Sequence, residues 1–219
     1  MTDALSTPAW IFLLVVAFGA LHSCLASSRA KALARRLAGA RFVSGGYRAG
    51  YNLLAAISLA PAAALIVAAP DREVYRLPLP LSIFALAIQA LAAIGIVYSV
   101  YQLDVWHFSG LRQLAGWLSG RQVHSASDTS ANRLVVDGLH RFVRHPLYAC
   151  SLVLLWLMSP MTANWLAFAC GATAYFYVGS IFEERKLVAE FGDAYRDYQK
   201  RVPRLVPRLR RRSVIQSEF

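Results

Sequence analysis

Arg144-His145-Pro146-Leu147-Tyr148 and, about 35 residues on, Phe182-Glu183-Glu184-Arg185 bracket an almost uncharged apolar stretch, residues 147–182. That length suits two helices joined by a turn. A hairpin returns its ends to one side of a membrane, so two ionisable clusters distant in sequence meet there. Charged and imidazole groups gathered at a bilayer surface are costly, and usually functional. The pairing predicts a site, and the site faces one compartment.

Composition supports the membrane. Of the 219 residues 57 % are hydrophobic and only 16 % charged, with a mean hydropathy of +0.43. Segments 9–26, 49–69, 79–101 and 161–182 are long enough, or nearly so, to cross a hydrocarbon layer of about 30 Å, which takes about 20 helical residues. A fifth, 147–159, covers only about 20 Å at 1.5 Å per residue. It enters obliquely or starts below the surface. Residues 1–8 hold no Lys or Arg, and the first run ends Cys24-Leu25-Ala26 without an alanine-type cleavage box. It reads as a retained helix rather than a signal peptide.

The net charge is +11, and its distribution decides what it means. Of 23 Lys and Arg, 21 fall in 27–48, 102–146 and 183–219, against 2 in 70–78 and none in the other connections. The positive-inside rule then places the N-terminus outside and the C-terminus in the cytoplasm, with five spans between. Such basic loops favour anionic lipid by about 1 kcal/mol per residue near the surface; a nucleic-acid partner is not expected. Cys24, Cys150 and Cys170 lie in or beside apolar helices and make no disulfide framework. No CxxC or HExxH spacing occurs, and no metal is expected.

The remaining segments fill in the plan. Gly45-Gly46 closes the first basic loop, Pro61 should kink the second span, and Pro78 and Pro80 suit the first turn of the third. Segment 102–146 carries Asp104, His107, Arg112, Gln113, His124, Asp128, Asp137, His140 and Arg144. Its middle, 120–132, is polar and loop-like, while 105–118 and 134–143 are apolar enough to lie on the membrane or cover a pocket. Beyond Glu183, Leu187, Val188, Phe191, Tyr195 and Tyr198 follow helical spacing, which predicts one amphipathic interfacial helix. Val202-Pro203 and Val206-Pro207 end it before a basic tail, 208–212. No internal repeats occur, which disfavours an inverted-repeat transporter. The fold class expected is all-α and integral to the membrane: five transmembrane helices, a cytoplasmic-side site and a C-terminal amphipathic helix.

With these residues in view, 134–207 resembles the isoprenylcysteine carboxyl methyltransferase and phospholipid methyltransferase superfamily, integral membrane enzymes that use S-adenosylmethionine. The resemblance rests on Asp137-Gly138-Leu139-His140, Arg144-His145-Pro146-Leu147-Tyr148, Glu183-Glu184, Phe191-Gly192-Asp193-Ala194-Tyr195, Tyr198 and Val202-Pro203. Leu21-His22-Ser23 and Phe108-Ser109-Gly110-Leu111-Arg112-Gln113 make the whole chain most similar to the bacterial methanethiol S-methyltransferase group, with NnrU-type membrane proteins as relatives. The resemblance implies a bacterial cytoplasmic membrane enzyme with a three-helix N-terminal region, 1–101, and a cofactor-binding region, 102–219. Three places depart from the superfamily pattern. Cys150 stands where a Gly is usual and His140 where a Tyr is common, and Gly179-Ser180 replace the Arg that prenylcysteine enzymes carry before the acidic pair.

The resemblance gives these residues roles. Gly138, Leu139, His140, Arg144, His145, Pro146, Leu147, Tyr148, Glu183 and Glu184 are the expected S-adenosylmethionine residues. Carboxylates can hold hydroxyls or the ammonium, an Arg can hold the carboxylate bidentately, and a helix start at Pro146 leaves N–H groups free for an anion. The alternative is that Glu183 and Glu184 snorkel beside Arg185 and Lys186. A small or lipophilic thiol acceptor must react as thiolate, so a base or cation is needed; His22, Arg112 and His145 are the catalytic candidates, with His107 behind them. His22 could equally be a helix histidine bonded to a neighbour, Arg112 an interfacial anchor, and Tyr175 and Tyr177 packing. A lipid amine or carboxylate as acceptor, or a non-catalytic NnrU-like role, are the rival functions.

Overall fold

The computed structural model describes residues 3–102, 105–120 and 134–208. Asp104, His124, Asp128 and the tail beyond Arg208 lie outside them, as does the side chain of His107. Among the described residues four helices are long and apolar enough to cross a membrane: α1 (Asp3–Ala26), α4 (Tyr47–Ala68), α5 (Leu79–Gln102) and α9 (Ala163–Phe191). Each matches a segment expected from hydropathy. Pro61 does not interrupt α4, which stays helical from Tyr47 to Ala68.

The basic loop folds into two short helices, α2 (Ser28–Ala38) and α3 (Ala40–Gly45). Ser27 caps α2 by accepting a hydrogen bond from Ala30 N at 3.1 Å. After α5 come α6 (Val105–Ser109) and α7 (Leu111–Leu118). Gly110 joins them at φ +83°, and a Cβ there would meet Ala49 N at 2.7 Å. Only glycine suits both the backbone and the space.

α1 lies between α9 and α4, α5 packs on α8, and α3 packs on α7. Small residues permit the close approaches. A Cβ at Gly171 would meet Val15 Cγ1 at 2.9 Å, and one at Gly95 would meet Cys150 Sγ at 2.8 Å. The sulfur of Cys150, at the superfamily's usual glycine position, is thus seated against a glycine of α5. Elsewhere the long helices present Leu53, Ile57, Leu91, Ile94 and Val97 outward, an apolar surface far larger than water tolerates.

The fifth apolar segment is shorter than expected. It forms α8 (Pro146–Trp156), 11 residues or about 16 Å. Its C-terminal end leaves carbonyls without helical partners, and neighbouring side chains take them. Gln89 Nε2 donates to Leu154 O at 3.1 Å, Trp165 Nε1 to Leu155 O at 2.9 Å and Tyr75 Oη to Trp156 O at 3.4 Å. These side chains satisfy carbonyls that the helix itself cannot.

At the same end, β1 (Glu73–Tyr75) pairs antiparallel with β2 (Met161–Thr162), so α9 starts at Ala163 rather than Met161. Asp71 Oδ1 accepts from Asn164 N at 3.0 Å, and Asn164 Nδ2 donates to Pro70 O at 3.3 Å. The connection between α4 and α5 is thereby tied to the start of α9.

One expectation needs correction. The amphipathic helix after Glu183 is not one helix. α9 runs on to Phe191, Gly192 breaks it at φ +57°, and α10 (Asp193–Arg201) turns back. The turn buries Tyr195 and Tyr198. Periodicity survived the break because both pieces present their aromatic residues to the same core.

Candidate active site

The two motifs meet. The Pro146 ring begins α8 at its first turn, where a missing N–H is harmless, and this sets His145 just outside the helix and beside α9. Arg144 N donates to Pro203 O at 2.8 Å and His145 N to Arg204 O at 3.1 Å. The segment after α10 is therefore strapped along the motif.

Glu184 is the centre of this assembly, with 4 % of its side chain exposed. Its Oε1 accepts from Arg144 Nε at 2.8 Å, His145 Nε2 at 3.2 Å and Arg204 Nε at 3.1 Å. Its Oε2 accepts from Arg204 Nη2 at 2.8 Å and Gln199 Nε2 at 2.9 Å. Five donors fill the carboxylate. Arg144 Nη1 in turn donates to the carbonyls of Gln199 and Val202. These contacts join α8, α9, α10 and the strap into one unit.

Glu183 is different. Half its side chain is exposed (48 %), and only Oε2 is engaged, by Tyr148 Oη at 3.1 Å and His145 Nδ1 at 3.4 Å. Its Oε1 takes no hydrogen bond among the described residues. Nearby, Gly138 opens a 3₁₀ turn at φ +58°, and a Cβ there would meet Tyr98 Oη at 2.9 Å. In the same turn His140 O accepts from Tyr198 Oη at 2.6 Å, and burial holds that phenol up at about 12. His140 Nδ1 is buried with no partner among the described residues. Burial lowers the His140 pKa, and His145 lowers it further. Both effects favour its neutral form.

Burial opposes charge on His145 as well, but its hydrogen bonds to Glu183 and Glu184 outweigh it, and its pKa lies above 6.5. A raised histidine pKa contributes stability that is full below 6.5 and is lost as pH rises through the folded value. In detergent, melting temperature should therefore fall more steeply from about pH 6 to about pH 9 in the parent than in His145→Gln. Parallel profiles would refute an imidazolium held between the two carboxylates.

A file of rings leads away from this cluster. His145 stacks on Tyr148 at 5.4 Å between centroids, and Tyr148 on Phe176 at 5.0 Å. Phe176 meets Tyr175 at 5.6 Å, and Tyr175 meets His22 edge-on at 5.8 Å. His22 also bonds through Nε2 to Tyr51 Oη. Gly19 lets this happen: a Cβ there would meet Tyr175 Cδ2 at 2.9 Å.

The structure thus brings Gly138, His140, Arg144, His145, Tyr148, Glu183 and Glu184 together, with Pro146 and Leu147 opening α8 beside them and Leu139 against α5 near Gly95. His22 joins them through the rings. Arg112 does not stand in the cluster around Glu184; it is exposed on α7 in an apolar groove with Trp106, Leu111, Leu114 and Leu118. Sequence reasoning missed Arg204 and Gln199, and it left Tyr51 without a role. In the sequence Arg204 reads only as part of the basic excess; its one signal is its place directly after Val202-Pro203. Ser180, near the place where prenylcysteine enzymes carry an Arg, is fully buried and donates to Tyr177 O at 2.7 Å.

Comparison with known proteins gives curated relatives. Methanethiol S-methyltransferase 2 of Bradyrhizobium diazoefficiens is 41 % identical over 111 residues, 51 % of this chain and 40 % of that protein. Methanethiol S-methyltransferase of Mycobacterium tuberculosis is 49 % identical over 69 residues, 32 % of this chain and 28 % of that protein. Protein-S-isoprenylcysteine O-methyltransferase of Schizosaccharomyces pombe is 30 % identical over 124 residues, 52 % of each. The match to the first of these spans well under half of that relative's length. No protein-family model matches the chain, and no solved structure does. These relatives bear out the resemblance that the paired motifs carry.

Proposed function

We propose that this chain is an S-adenosylmethionine-dependent methyltransferase of the bacterial cytoplasmic membrane that S-methylates a small or lipophilic thiol such as methanethiol. The observation that carries the reading is the division between the two carboxylates, Glu184 saturated and buried, Glu183 half-exposed with one oxygen free. In this reading α8 is the fifth span, the N-terminus is outside, and the motif cluster faces the cytoplasm, in line with the basic residues of 27–48 and 183–219. An apolar acceptor would come laterally from the surrounding lipid.

The residues fit the cofactor's chemistry. When bound, S-adenosylmethionine supplies an electrophilic methyl group on a cationic sulfonium. Glu183 Oε1 answers a positive charge. His140 Nδ1 and the first N–H groups of α8 offer partners for the polar ends. Arg144 keeps Nη2 for a carboxylate, its Nε and Nη1 being engaged. His145 and Glu184 hold these groups in place.

The test is incubation of the purified protein with methyl-labelled S-adenosylmethionine and a panel of thiols, lipid amines and carboxylates. Label in the methyl thioether is the expected outcome. Label in an amine or ester product would move the acceptor class, and no cofactor binding would favour a non-catalytic NnrU-like role.

A further inference from the structure

Resting on the thiol reading, we propose that His22 is the catalytic base for the acceptor and that Tyr51 is its positioning residue. The acceptor pocket then lies among α1, α4 and α9, at the far end of the ring file from Glu184.

The geometry is specific. His22 sits in the last turns of α1, and its ring is held on three sides: Phe18 at 5.4 Å, Tyr51 at 4.5 Å and Tyr175 at 5.8 Å between centroids. Nε2 is engaged by Tyr51 Oη. Nδ1 is buried and has no partner among the described residues. A buried nitrogen without a partner is costly. With Nε2–H donating to the Tyr51 oxygen, Nδ1 carries the free lone pair. Tyr51 holds the ring in place through that bond.

The chemistry needs such a group. An aliphatic thiol is mostly protonated at neutral pH, and the thiolate is the nucleophile. The S–H proton goes to His22 Nδ1 as the sulfur lone pair forms the new S–CH₃ bond and the sulfonium–CH₃ bond breaks. The products are a methyl thioether, S-adenosylhomocysteine and one proton, which leaves His22 for water. Around the reacting sulfur, Phe18, Tyr175 and Phe176 supply an apolar and aromatic wall suited to a small alkyl thiol. The titratable groups that face the imidazole are Tyr51 from α4 and Tyr175 from α9, both phenols; Cys24 lies two residues on in the same helix.

The experiment uses the full chain in detergent with two thiols: ethanethiol, and thiophenol, which is far more acidic. S-Adenosylhomocysteine affinity is measured in parallel. His22→Gln and Tyr51→Phe should leave that affinity within about twofold. For ethanethiol, kcat/KM should fall about a hundredfold in His22→Gln and about tenfold in Tyr51→Phe. Thiophenol, already ionised, should lose less than about threefold, and the ethanethiol loss should shrink as pH rises. Equal losses for both thiols, an unchanged ethanethiol rate or collapse of S-adenosylhomocysteine binding would each overturn the proposal. Tyr51→Phe removes a single oxygen and carries the test if His22→Gln does not fold. A parent protein that binds S-adenosylhomocysteine yet methylates neither thiol would overturn the thiol reading, which separates the two failures.

Discussion

Replacing Glu184 with alanine should unfold the protein in detergent at moderate temperature, not merely weaken its ligand. The carboxylate receives five hydrogen bonds from Arg144, His145, Gln199 and Arg204. Removing it leaves the guanidinium of Arg144 buried beside an imidazole, with no counter-charge at that point. Breaking a buried pair from one side costs about 3–5 kcal/mol, against a total stability of about 5–15 kcal/mol for ordinary domains. The strap is lost with it, because Arg144 also binds the carbonyls of Gln199 and Val202. Arg204→Ala should cost less, since 28 % of that side chain is exposed and water can replace part of what it gives. The measurement is thermal unfolding with size-exclusion chromatography of both variants. A Glu184→Ala protein that melts like the parent but fails to bind S-adenosylmethionine would make Glu184 a direct ligand instead.

Much of this arrangement was legible in the sequence, and the reasons are physical. The long helices were readable because a bilayer demands about 20 apolar residues in a row, and α1, α4, α5 and α9 meet that demand. The meeting of Arg144-His145 with Glu183-Glu184 was readable because a hairpin must bring its ends together. What escaped was everything set by tertiary contact. Gly192 gave a signal, yet hydrophobic spacing runs through it unchanged, so α9 and α10 read as one helix. The position of Arg204 depends on that turn, and without it the residue looked like one more cation in a basic tail. The pairing of His22 with Tyr51 joins two helices whose facing the sequence does not state. The apolar groove at Arg112 illustrates the same limit. Its motif carries part of the resemblance, but only packing shows that Gln113 turns inward while Arg112 turns out.

Glu183→Ala should do the opposite of Glu184→Ala: keep the fold and lose the ligand. Its side chain is half exposed, and its removal frees only Tyr148 Oη and His145 Nδ1. Water can reach the first, and the second keeps Glu184 through the other ring nitrogen at 3.2 Å. Stability should therefore change by less than about 1 kcal/mol, as for a partly exposed pair. Affinity is another matter. A charged hydrogen-bond partner contributes about 1.5–3 kcal/mol, so S-adenosylmethionine affinity should drop roughly ten- to a hundredfold. S-Adenosylhomocysteine has lost the sulfonium charge but keeps the ammonium, so comparing the two ligands locates the carboxylate. If Glu183 faces the sulfonium, the substitution should weaken S-adenosylmethionine more than S-adenosylhomocysteine; if it faces the ammonium, both should weaken alike. Calorimetry on the parent and on Glu183→Gln, which keeps the shape and removes the charge, reads this directly. Affinities unchanged for both ligands would mean that the exposed carboxylate is an interfacial anchor beside Lys186, and the division of labour between the two glutamates would fall.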